Sequence, residues 1–157
     1  MAKTPLKYLD KGMEILIIFI FLLMVIVGGM QVFNRFVLNR SLSWSEEFQK
    51  FAHIWIIYLT IPIGYARGSH IGMDLLVIRL PMKIRRVLEI LTDLLWFGFA
   101  LSLTVHTYRI MQVTKNQTSP GMDLRMDYVY SGLFIGGVYL CIMVFRKFLE
   151  RARGVVC

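Results

Sequence analysis

The chain has 157 residues, of which 57% are hydrophobic and 18% charged, and its mean hydropathy is +0.61. Soluble domains are about 45–50% apolar and about 25% charged. The composition therefore excludes a disordered chain, a disulfide scaffold and an ordinary cytosolic enzyme, and leaves an integral membrane protein with room for a few spans.

The first apolar segment runs from about Met13 to Phe33 and carries no charge between Ile15 and Asn34. Lys3, Lys7 and Lys11 precede it as they would a signal peptide. No small-x-small cleavage pattern follows, and Met30-Gln31-Val32-Phe33 continues the run, so it reads as an uncleaved anchor. Glu14 at its edge is expected to pair with Lys11 or to snorkel.

The first connection ends in Ser43-Trp44-Ser45-Glu46-Glu47. Ser43 with Glu46 three residues on predicts a capping box, and Glu46 and Glu47 suit the positive end of a helix dipole. Trp44 stands where an interfacial anchor belongs, and Glu46 can pair with Lys50 at i, i+4. The segment reads either as a well-capped helix start or as a rim that docks another protein. The second span follows, about 48–66, with His53 and Pro62 inside it.

The second connection, Ala66 to Arg86, holds Ile71, Leu75 and Ile78 among Asp74 and Arg79. This predicts a short amphipathic helix in the headgroup plane. Pro81 ends it and suits the first turn of the next helix. From Met82 to Met111 the only breaker is Gly98, which predicts a helix of about 45 Å, with the third span at about 87–108. Asp93 lies just inside that span, on one face with Arg85 and Glu89. It completes an interfacial charge ladder or meets a charge on a partner's helix. The third connection, Gln112 to Asp127, reads as an exposed loop, and the fourth span covers about 128–145. There Gly132 and Gly136 form a GxxxG that permits close helix contact.

Lipid offers no partner to open backbone groups, so each span is expected to be helical. No strand-like alternation covers the apolar stretches, which disfavours a β-barrel. Of the 18 Lys and Arg, twelve fall in the N-terminal tail, the second connection and the C-terminal tail. Both termini are therefore expected to be cytoplasmic, with the basic excess serving topology and contact with anionic lipids rather than nucleic acid. The expected fold is an all-α integral membrane protein: four transmembrane helices plus a short interfacial helix, forming one domain over 1–157. Cys141 and Cys157 are not expected to form a disulfide.

His53 and His106 fall at similar depth and raise one alternative, a haem-binding membrane cytochrome subunit. Otherwise the sequence contains no Walker loop, no Cys/His metal cluster and no G-x-S-x-G, and no span carries a row of polar groups to line a pathway. An accessory membrane subunit is expected, neither an enzyme nor a cofactor carrier.

Four motifs in order resemble the small membrane subunit (DctQ type) of tripartite ATP-independent periplasmic (TRAP) transporters. They are Asn34-Arg35 closing the first helix, Ser43-Trp44-Ser45-Glu46-Glu47 opening the second, Gly64 through His70-Ile71 to Asp74, and Ser119-Pro120 before the fourth span. The chain departs from the family pattern in span four, where Leu133-Phe134-Ile135-Gly136 replaces a Pro-Leu-Gly or Pro-Ile-Gly. The resemblance implies a scaffold beside a large multi-span subunit that holds the substrate site and the coupling ion, usually Na⁺. It also implies a periplasmic binding protein as third component and import of an organic acid such as sialic acid or a C4-dicarboxylate. Trp44, Ser45, Glu46, Glu47, His70, Asp74, Asp93, Gly132 and Gly136 are the expected partner-interface residues.

Overall fold

The computed structural model describes residues 4–67 and 81–152. They form four helices: α1 (Thr4–Val37), α2 (Ser43–Ala66), α3 (Met82–Thr114) and α4 (Met126–Ala152). Three contain stretches long and apolar enough to cross a bilayer: Tyr8–Val37, Val87–Thr114 and Met126–Leu149. The chain is thus an all-α, multi-pass membrane protein. At 24 residues α2 is about 36 Å long, but with Glu46, Glu47, Gln49, Lys50 and His53 in its first half it holds no stretch of membrane-spanning length as apolar as those three. The expected interfacial helix, with His70 and Asp74, lies outside the described residues.

The helices pack in the spatial order α1, α2, α4, α3. Central α4 buries Val129, Tyr139, Leu140, Met143 and Val144. Against Tyr139, Leu140, Met143 and Val144 lie Ile63 and Tyr65 of α2 and Ala100 of α3. Outer α1 turns one narrow stripe inward, including Met13, Ile17, Met24 and Gln31, and leaves Ile15, Phe19, Leu22, Val25 and Ile26 exposed. An apolar surface of that extent is stable only in lipid or against another protein.

Three glycines set how closely the central helices approach. A methyl group on Gly132 would stand 2.7 Å from the Trp55 ring, and one on Gly137 would stand 2.6 Å from the Thr104 hydroxyl oxygen. One on Gly136 would overlap the Tyr58 carbonyl oxygen. Pro62 sits four residues after Tyr58 and has no N–H to offer that carbonyl. The proline opens the helix ladder at the point where α4 presses its barest residue.

The end of α1 explains Asn34. Its carbonyl accepts the N–H groups of Leu38 and Arg40, at 3.1 Å each. Asn39 makes the reversal with φ 51°, a left-handed conformation that Asn tolerates better than most side chains. The Asn34 amide nitrogen also donates to the Met30 carbonyl at 2.8 Å.

Candidate partner-facing site

The predicted capping box does not form. Leu42 takes the N-cap position without a side-chain cap. Ser45, fully buried, turns its hydroxyl back to the Leu42 carbonyl at 2.7 Å. Glu46 is exposed and accepts a long 3.4 Å contact from the Gln31 amide. Among the described residues it forms no ion pair with Lys50. Both acidic residues still lie at the helix start, where the dipole favours them, but tertiary contacts direct their side chains.

Glu47 makes the most consequential of these contacts. Its carboxylate accepts the Ser119 hydroxyl and the backbone N–H groups of Gly121 and Met122, the last two at 3.0 Å. Charge-assisted bonds to a carboxylate are about twice as strong as neutral ones. Here three of them hold a turn more than 70 residues away in sequence. The turn also closes on itself: Ser119 N–H donates to the Leu124 carbonyl at 2.9 Å, and Asp123 N–H to the Ser119 carbonyl at 3.0 Å. Thr118 and Arg125 form an isolated bridge beneath it. The connection is largely exposed, as expected, but it is pinned at Ser119, which is 1% exposed. A methyl group on Gly121 would stand 3.0 Å from the Glu47 carboxylate, so glycine lets the backbone come within hydrogen-bonding reach.

A polar relay joins α2 to α1 at the same end. The Gln49 amide nitrogen donates to the Gln31 oxygen at 2.6 Å, and the Gln31 nitrogen reaches Glu46. Gly28 packs beside the Gln49 amide. Sequence reasoning passed over Gln31 and Gln49. Part of the signal was present: Gln31 is an amide inside an apolar run and needs a partner when no water is at hand.

At the opposite end the ionic groups bond between elements of the chain, Asp93 from a buried position and Glu14–Arg67 at the surface. Asp93 is 3% exposed and accepts the Tyr65 hydroxyl at 2.6 Å, so its carboxylate does not reach toward headgroups. The Lys147 ammonium stands 4.5 Å from the centroid of the Tyr65 ring, and Trp96 packs 5.5 Å from it. Glu14 pairs with Arg67 of α2 instead of Lys11, and Asp10 accepts the Tyr139 hydroxyl. These contacts run between helices within the chain. Gly132 and Gly136 likewise serve α2–α4 packing inside it.

His53 and His106 are not brought together. Both are exposed. His53 opens onto the α1–α2 groove beside Gln49 and Lys50. His106 is on α3, beyond α4, with its Nδ1 2.8 Å from the Ser102 carbonyl oxygen.

The described interior is packed with aliphatic and aromatic side chains, and its four buried polar residues are Ser45, Asp93, Thr107 and Ser119. No buried polar side-chain atom among the described residues lacks a partner. Residues 13–154 match the family model described as "Tripartite ATP-independent periplasmic transporters, DctQ component". The chain belongs to the DctQ family. A "Putative TRAP transporter small permease protein" of Haemophilus influenzae is 23% identical over 150 residues, covering 96% of this chain and 93% of that protein. The "Isethionate TRAP transporter permease protein DctMQ" of Oleidesulfovibrio alaskensis is 32% identical over 83 residues, covering 52% of this chain and 13% of that one. The "Sialic acid TRAP transporter permease protein SiaT" of Haemophilus influenzae is 30% identical over 94 residues, covering 59% and 15%. In the last two relatives, the matching DctQ-like part lies within a much longer permease.

Proposed function

We propose that this DctQ-family chain is the scaffold subunit of an ion-coupled importer of an organic acid. In this reading it braces a large multi-span partner that holds the substrate and Na⁺ sites. The observation that carries the reading is that, among the described residues, the polar side chains between the helices are engaged with partners in the chain, the buried ones without exception, while the core around them is apolar. Such a bundle can hold a permease in place, but it offers a hydrophilic solute nothing to replace water with. The relatives in which this module is part of a longer permease support a large partner. Isethionate and sialic acid, named for two of them, are both organic acids and support that substrate class.

In the same reading all four helices cross the cytoplasmic membrane and both termini are cytoplasmic. The Trp44–Glu46 rim and the turn held by Glu47 then face the periplasm, where a substrate-binding protein arrives. Glu47 shapes that surface from within, while Trp44 and exposed Glu46 are available to contact the visitor. His70 and Asp74 would lie at the cytoplasmic interface, as the family motif implies.

The test is expression with the candidate large partner, followed by uptake measurements. Co-purification of the two, with uptake lost when this chain is deleted, is the expected result. Solute movement into vesicles containing this chain alone would overturn the proposal.

A further inference from the structure

We infer that the groove between α1 and α2 is a binding site for an anionic phospholipid, with Lys50 and His53 receiving its headgroup. The groove is an open cleft of about 680 Å³ lined by Met24, Val25, Gln49, Lys50, His53 and Ile54. Its lining is of two kinds. Lys50 and His53 stand one turn apart on α2, at i, i+3, and both are exposed. Met24, Val25 and Ile54 make the rest of the lining apolar. Cationic and apolar groups therefore share one cleft, the complement of a phosphodiester joined to an acyl chain.

Lys50 is available because both carboxylates of the turn before it are engaged elsewhere. Glu46 lies toward Gln31, and Glu47 is held by Ser119, Gly121 and Met122. The nearby Gln49 amide is bonded to Gln31. Among the described residues Lys50 has no carboxylate partner. With α2 crossing the membrane over the expected span 48–66, Lys50 lies two residues, about 3 Å, past its start, near the headgroup boundary, where an unpaired cation is best satisfied by lipid phosphate. His53, a turn deeper, can donate to the glycerol ester or the phosphate.

The site rests on the proposal that α2 crosses the bilayer, and its test does not read transport. The full chain is purified and placed in phosphatidylcholine nanodiscs with a minor share of phosphatidylglycerol. Native mass spectrometry then reads the lipids retained after release. Wild type is expected to keep one phosphatidylglycerol in preference to phosphatidylcholine. Lys50→Gln should lower that retention about fivefold, the scale of one lysine at an anionic surface, while Lys50→Arg restores it. Lys115→Gln, at an exposed cation outside the groove lining, should leave it unchanged.

Equal retention by wild type and Lys50→Gln would overturn the site. So would an equal loss in Lys115→Gln, which would mean attraction by total charge alone. In membranes where the large partner is expressed with this chain, its capture rather than that of lipid by a photo-crosslinker at Ile54 would assign the groove to protein and also overturn it. In each of these cases co-purification and uptake could stand intact, so the site can fail without the transporter role failing.

Discussion

Glu47 shows how much one side chain organises here. Half-buried at the start of α2, it bonds the Ser119 hydroxyl and two backbone N–H groups of the α3–α4 turn. Replacing it with alanine leaves buried Ser119 and two amides in search of water. Bonds to a charged group contribute about 1.5–3 kcal/mol each, but the turn is partly exposed and water recovers much of this. A loss of about 2 kcal/mol in the local opening free energy of the turn is expected, or roughly 30-fold faster amide exchange at Gly121 and Met122. Exchange mass spectrometry of Glu47→Ala checks this, and Glu46→Ala should leave the turn unchanged. The adjacent glutamates look equivalent in sequence. Their difference lies in what stands opposite each, which local spacing does not encode. Asp93 carries the same lesson: its depth was legible from the apolar run around it, but its Tyr65 partner, 28 positions away, was not.

The apolar centre of each helix was legible, because about 20 mostly apolar residues can satisfy their backbone in lipid only as a helix, whereas the helices extend past the expected spans by as much as nine residues, at the start of α1. Helix contacts were less legible. The GxxxG of span four predicted a close approach, and the structure supplies the neighbour, α2. Gly136→Ala should force α2 and α4 apart, because the new methyl group meets a backbone carbonyl that has no rotamer to yield. A cost of about 1–3 kcal/mol is expected, read as a lower thermal midpoint in detergent. Gly98 has open space around it, so Gly98→Ala should be neutral or stabilise by up to about 1 kcal/mol through helix propensity. The same measurement on both variants separates packing from propensity. Pro62 was visible as a helix interruption, whereas its consequence, an open Tyr58 carbonyl facing α4, required the packed structure.

For the molecule as a whole, topology is the decisive question. α2 has the length to cross, but its first turns carry polar groups that lower its hydropathy. The structure gives several of these groups internal partners: Gln49 with Gln31, Glu47 with the turn. A helix shielded in this way can sit in a bilayer despite its composition. With four crossings the N-terminal end and the α3–α4 turn lie on opposite sides. With three, they share a side. Single cysteines at Lys11 and Asn116, both exposed, distinguish the two cases. A membrane-impermeant maleimide should label Asn116→Cys in intact cells and Lys11→Cys only after lysis. Labelling of both before lysis would exclude the four-crossing arrangement.

Membrane residence, helical class and the apolar centre of each helix followed from sequence alone, because burial in lipid is governed by local composition over one helix length. The motif residues of the α2 start also stood out in the sequence, though not their bonds. Tertiary structure decided which carboxylate holds the turn, which amides bridge α1 and α2, and which glycines admit which neighbour. Each of these depends on groups far apart in the chain meeting in a medium that cannot solvate them, and a linear pattern records the groups but not their meeting.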